Sequence, residues 1–355
     1  MRTNDRIQIP TYIKYFFIIG SIILTWHVID HLSIFFDPLI LSIIFAIGLS
    51  PLCSVFEKIM PRFFSSLASV LLVMFVLLLI FFCISVQIAN INFDFNASFG
   101  KLGSYVDSIK QWGAAKLDIK PPKQTDYLTA SLSNIGKSIS SYVNYIIGLT
   151  KNILTSFVFF LLSLFFLLYY RQFLVTFLFK ITAQKNHRRI KKIIEESVTI
   201  IKLYFIGLSL DIFIVAILNV LGLLAIGIPH AFFFGILAAF LLVIPYIGIL
   251  IGASLPILFS LMTMNSIWYP VGVILIFSFI QFLEGNLISP NIIGDKVGLN
   301  PFSIIIGMLL GGLLFGIIGF VITIPILSII KVIFHNIQSF ESLSFIMGTP
   351  PNSKD

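Results

Sequence analysis

Charge is scarce in this chain. Acidic and basic side chains together make up 11% of its 355 residues, where a soluble domain carries about a quarter. Cysteine is nearly missing: Cys53 and Cys83 are the only two. Two distant thiols build neither a disulfide framework nor a metal set. No phosphate-cradling Walker loop, zinc spacing or serine nucleophile elbow occurs. Catalytic residues, metal ligands and a cofactor are therefore not expected, and the chain reads as something other than an enzyme. The missing Walker loop also points away from an ATP-driven pump in one chain. A small-residue cleavage site after the first apolar segment is lacking, so that segment is expected to be retained.

Apolar residues are what the chain has instead. Hydrophobic residues reach 58%, 38 of them phenylalanine, and the mean hydropathy is +1.05. Runs exceed the ~20 residues that span a bilayer. The fold class expected is an all-α polytopic membrane protein with about eight transmembrane helices, the later ones broken by Pro and Gly. A small helical extracytoplasmic insertion is expected as well. The net charge of +8 is read as topological rather than as a sign of nucleic-acid binding.

In chain order, residues 1–90 hold three spans. The first two form a hairpin whose tip is the polar knot His27–His31, read as a solvated turn rather than a metal or proton site. The second span is interrupted at Asp37-Pro38, and residues 52–65 connect to the third. Residues 91–144 turn polar, with apolar positions at helical spacing either side of Pro121-Pro122. They read as an amphipathic cap on the membrane surface. Residues 145–170 form the fourth span. Residues 171–202 carry eight basic side chains against Glu195 and Glu196, and read as a cytoplasmic amphipathic helix near anionic lipid. Residues 203–335 form the motif-rich core, with a polar tail at 336–355. Placing both termini, residues 51–65 and the 171–202 segment inside collects 15 of the 23 basic residues on one side. Multi-pass insertion with cytoplasmic termini and an outer cap follows.

Chemistry concentrates late in the chain. Asp211 lies some two turns into the fifth span, where a charge is costly; it is neutral, paired with another helix, or facing water. Residues 231–261 are about 46 Å long if straight, too long for one crossing. Pro245, Gly248 and Pro256 supply a break that frees backbone carbonyls. Ser278, Gln281 and Glu284 recur at i, i+3, i+6 and so share a helix face. From Gln281 to Lys331 the chain combines Glu284 with Pro290, Pro301, Pro325 and the pairs Gly307–Gly311 and Gly312–Gly316. Small residues four apart let helices approach closely, and broken helices in a membrane line paths. Glu284 is the candidate proton- or cation-binding group, with Gln281 and Asn286 as polar neighbours and Asp211 as a second carboxylate. The alternative is that Glu284 pairs with Lys296 or caps its helix. Hinge candidates are Pro245, Gly248, Pro256, Pro290, Pro301, Gly311, Gly312 and Pro325. Whether 231–261 and 301–334 are kinked spans or re-entrant hairpins is open at this point.

Four blocks carry a resemblance: Ile244-Pro245-Tyr246-Ile247-Gly248 with Gly252 and Pro256; Gln281-x-x-Glu284-Gly285-Asn286 with Pro290; Gly294 with Val297-Gly298-Leu299-Asn300-Pro301; and Gly311-Gly312 with Gly316, Gly319, Pro325 and Lys331. In order and spacing this last third resembles the AI-2E family of bacterial permeases, the autoinducer-2 exporter-like proteins. The first half matches by layout. Two positions depart: Gly207-Leu208 stands where Gly-Gln is common, and Asn300 where histidine is common. The resemblance implies an eight-span permease of the cytoplasmic (inner) membrane that assembles as a homo-oligomer, with a pentamer expected. It also implies export of a small polar solute, or exchange of Na+ or Li+ for H+. The partners expected are thus the bilayer, a small solute or ion, and other copies of the chain, without nucleic acid. An uncoupled oligomeric channel, or an envelope scaffold acting through the 91–144 cap, are the alternatives.

Overall fold

The computed structural model describes residues 11–90, 154–294 and 297–349. The regular structure among them is helical, with one isolated bridge between Leu299 and Gly348. The all-α polytopic expectation holds. Five helices are long and apolar enough to cross a bilayer, or six if one bent pair counts as a span. The expected cap at 91–144 lies outside the described residues.

Helix α1 (Thr11–His31) turns at Leu32 into α2 (Ser33–Phe56). Contrary to the expected interruption, α2 runs unbroken through Asp37-Pro38 and Pro51. Proline at 38 leaves the Ile34 carbonyl without its helical donor, and the Ser156 hydroxyl donates to that carbonyl across 3.5 Å. After a short connection come α3 (Arg62–Asn90) and then α4 (Leu154–Tyr169). Buried Ser65, Ser66 and Ser69 let α3 lie close to its neighbours. Cys53, Val70, Val73, Phe160, Leu164 and Leu168 form the core of this first bundle.

Helix α5 (Arg171–Lys180) bends 67° from α4. Glu57 clamps the bend: its carboxylate accepts from Arg171 at 2.5 Å and pairs with Arg62 at 3.4 Å. Helix α6 (His187–Ile226) then runs for 40 residues, about 60 Å. The basic stretch 171–202 is thus not one helix. It divides between α5 and the first turns of α6, and no break separates it from the following span. Gly227, at φ 83°, ends α6.

Both overlong segments are folded back on themselves. Helix α7 (Ala231–Phe240) and α8 (Ile247–Thr263) lie side by side, joined through a tight turn at Leu241–Val243 and Tyr246. Gly252 lies against Ala238 and Gly248 against the Leu241 carbonyl, so a β-carbon on either would strike backbone. Phe234 packs on Phe259 at 5.0 Å near the open end. Helix α9 (Trp268–Leu283) continues through two π-helical turns, Glu284–Ile288 and Pro290–Gly294. Helix α10 (Pro301–His335) contains a non-helical residue, Gly316, at φ 55° and ψ −135°. There the chain reverses. The Thr323 hydroxyl lies 3.4 Å from the Gly307 carbonyl; in a straight helix these residues are about 24 Å apart. Gly311 meets Gly319, and Gly307 meets Leu327. The apolar 35-residue stretch is thus long enough to cross but is built as a hairpin, and so is 231–263.

Short α11 (Glu341–Met347) follows. Residues 297–300 lie against it and against the end of α10: Lys331 donates to the Gly298 carbonyl, and Leu299 bridges Gly348. Counting eight full crossings puts this loop and the chain's end on opposite faces. The two hairpins bring them to the same one.

Candidate functional site

Asp211, Glu284 and Pro245 fall at one depth. At 1.5 Å per residue, Asp211 lies about 22 Å before the end of α6 and Glu284 about 24 Å along α9. Pro245 lies about 21 Å from the start of α7. The ends from which these lengths are counted are neighbours, because α6 turns directly into α7 and α8 directly into α9. The tip of the α7–α8 hairpin therefore arrives beside both carboxylates. A cavity of about 450 Å³ opens there. Asp211, Gln281, Glu284, Pro245, Tyr246 and Pro290 line it. Tyr204 and Leu208 of α6, Val297 and Leu299 of the loop, and Ile304 and Ile324 of the second hairpin also border it.

Each polar group has its position for a local reason. Gln281 and Glu284 share a face of α9, and the Gln281 amide donates to Glu284 Oε2 at 2.6 Å. The π-helical turn begins at Glu284 itself. Widened turns of this kind re-aim side chains and recur at functional sites. Asp211 is 3% exposed, and its Oδ1 has no hydrogen-bond partner among the described residues. No ion pair among the described residues engages Asp211 or Glu284. Lys296, the alternative partner for Glu284, lies outside them. Tyr246, at φ 60°, holds the hairpin tip in a conformation rare for a bulky residue.

The other expected residues divide. Pro245 and Pro290 line the cavity, and Gly248 stands one turn behind Pro245 where the hairpin arms touch. Asn286 is not brought in: it is exposed and donates to the Phe282 carbonyl at 2.9 Å. It stands two positions beyond Glu284, a spacing that turns it off the inward face. Ser278 is also exposed and outside the wall. Pro256 is buried within α8, while Gly311, Gly312 and Pro325 lie inside the second hairpin, all away from the cavity. Pro301 opens α10 directly after its cap. Tyr204, Tyr246, Val297 and Leu299 were not legible as site residues, because an apolar or aromatic residue in an apolar run carries no local sign of facing a cavity.

Asn300 has a structural task. Its Oδ1 caps α10 by accepting from Ser303 N at 2.8 Å, while its amide donates to the carbonyls of Ile346 and Gly348. Its departure from the common histidine thus bears on the α10–α11 junction.

The profile of the AI-2E family transporter matches residues 13–339. The chain belongs to the AI-2E transporter family. Among relatives, YueF of Bacillus subtilis is 28% identical over 317 residues, covering 86% of this chain and 84% of that one. YrrI of the same organism is 34% identical over 129 residues, 36% of each chain. Both carry transport-protein names. TqsA of Escherichia coli, named an AI-2 transport protein, is 25% identical over 126 residues, again 36% of each chain. Membership in the AI-2E family establishes a multi-pass transport protein and points away from catalysis. In this AI-2E protein the two carboxylates, the hairpin tip and the π-helical turn border one cavity.

Proposed function

We propose that this AI-2E protein is a secondary transporter that exchanges a monovalent cation, Na+ or Li+, for protons across the bacterial cytoplasmic membrane. Both termini lie in the cytoplasm, and copies of the chain assemble as a homo-oligomer. One observation carries the reading: Asp211 and Glu284 face a single cavity, and the Gln281 amide donates to Glu284 there. Gln281 satisfies one carboxylate oxygen. The buried Oδ1 of Asp211 still needs a proton or a cation, since an unpaired buried charge is costly. Two negative charges in one low-dielectric space repel strongly. Occupation by one cation or one or two protons relieves that repulsion, and alternating the two occupants is what an exchanger does. The broken helices beside the site supply the movable parts.

Export of a small polar solute is the second reading. It is favoured by the cavity's volume of about 450 Å³, more than a bare ion needs, and by the name of the relative TqsA.

The test is proton movement in everted membrane vesicles followed with a pH-sensitive dye. Adding Na+ or Li+ is expected to collapse the gradient with the natural protein. Glu284→Gln is expected to abolish the response and Asp211→Asn to reduce it at least about tenfold, as for loss of a buried charge partner. Natural exchange in the Glu284 variant would overturn the assignment. A response to polar solutes alone selects the export reading, and flux without proton movement selects a channel.

A further inference from the structure

A second cavity lies on the far side of Val297. It is a groove of about 550 Å³ lined by Glu195, Glu196, Thr199, Gly298, Lys331 and His335, with Val297 forming part of its wall as well. Val297 is thus common to the groove and the carboxylate cavity.

Two helices run past both. On α6, Glu196, Ile200, Tyr204, Leu208 and Asp211 follow one another at spacings of three or four, which is a single helix face. Glu196 and Ile200 border the groove; Tyr204, Leu208 and Asp211 border the cavity. On the second arm of α10 the same holds for Ile324 at the cavity and Lys331 and His335 at the groove. Between the two stripes sits an apolar wedge. Val297 and Leu299 are each 7% exposed and pack with buried Tyr204, and with Leu208, Ile304, Ile324 and Leu327.

One side chain holds the wedge from the groove side, while Leu299 bridges Gly348 at its far end. The Lys331 ammonium donates to the Gly298 carbonyl. Gly298 has φ 59°, and a β-carbon there would lie 2.9 Å from Lys331 Nζ. Glycine is favoured there by the positive φ. Asn300, immediately after the wedge, is tied to α11 by its amide.

We propose that Lys331 is a latch: it closes the path between the carboxylate cavity and the groove by holding Val297–Leu299 between α6 and α10. This deepens the transport reading by naming the gate on the side of the chain's C-terminal end. In the closed state the lysine also sets a positive charge beside the path, which repels a cation. When Lys331 releases the Gly298 carbonyl, its ammonium turns into the groove beside Glu195 and Glu196, which already pair with Lys191 and Lys192, and the wedge moves.

Accessibility tests this without any cargo. In a background with Cys53 and Cys83 replaced by alanine, Leu208→Cys places a thiol beyond the wedge, and Thr199→Cys places one in the groove. A charged, membrane-impermeant thiol reagent is applied from the side of the C-terminus. Thr199→Cys is expected to react at one rate whether Lys331 is natural or replaced by Met. Leu208→Cys is expected to react slowly beside natural Lys331 and on the order of tenfold faster with Lys331→Met, the effect of losing one charged hydrogen bond. Lys331→Arg is expected to stay slow. Val297→Gly, which thins the wedge and spares the lysine, is expected to speed the same thiol and guards against a misfolded Lys331 variant. Equal rates at Leu208→Cys across all four backgrounds would overturn the latch. Because no ion or solute is transported in this measurement, a failed exchange assay leaves it standing, and a failed latch leaves the exchange reading standing.

Discussion

At the residue scale, Asn300 and Glu284 show two different fates for a polar side chain in an apolar chain. Asn300 spends every hydrogen bond on structure. Its acceptor caps α10 and its donors reach two carbonyls of the terminal segment. Asn300→Asp keeps the acceptor and loses the donors. It is therefore expected to leave α10 capped while freeing α11, seen as faster protease cleavage or hydrogen exchange at 341–348 with little change in overall melting. Asn300→Ala loses the cap too and is expected to cost about 1 kcal/mol more. Glu284, in contrast, keeps acceptor capacity open toward a cavity. Its pairing with Gln281 was legible in the sequence, because three residues on a helix return to one face. Asp211 was legible as a second carboxylate, but the cavity it shares with Glu284 was not, because that depends on two separate helices ending on the same side. Asn286 was misplaced for the opposite reason: it is near Glu284 in sequence, and proximity in a helix is angular.

At the scale of elements, the glycines decide more than the prolines. The sequence marks 231–261 and 301–334 as too long and too broken for single crossings. Whether a break bends or reverses the chain depends on contacts between arms, which no local pattern encodes. The small-residue pairs were readable as close-packing devices, but the arms they join are those of one hairpin. Gly319 lies against the Gly311 carbonyl and Gly252 against the backbone of Ala238. Gly319→Val and Gly252→Val are each expected to destabilise by about 3 kcal/mol through forced separation of the arms. A large fall in the melting temperature of detergent-solubilised protein is the reading. Gly20→Ala is the matched control, since open space surrounds Gly20 in α1; no loss is expected, or a gain of about 0.5 kcal/mol from the stiffer unfolded chain. Prolines 38 and 51 carry the converse lesson, because α2 absorbs both without breaking.

At the scale of the whole molecule, composition alone was enough for the class of protein, since so few charges cannot cover a water-facing surface. The Glu57–Arg62–Arg171 cluster that fixes the α4–α5 bend was not legible, as Arg171 lies 114 positions from Glu57. Glu57→Gln is expected to loosen that bend and lower melting by about 2 kcal/mol, because two arginines then face one another without a counter-charge.

The hairpins also settle an arithmetic of sides. A segment that enters and returns through the same face adds nothing to the tally of crossings. Reporter enzymes inserted near 229 and near 265 should therefore give the same compartment signal, whereas a full crossing between them would give opposite ones. An insertion near 299 should match a fusion at the C-terminus. For a ribosome-bound chain this has a cost in order: α7–α8 cannot settle until α9 has followed it. Asp211 thus waits without its cavity until most of the protein has been made, and a chain truncated before Glu284 is expected to leave α6 exposed to membrane quality-control proteases.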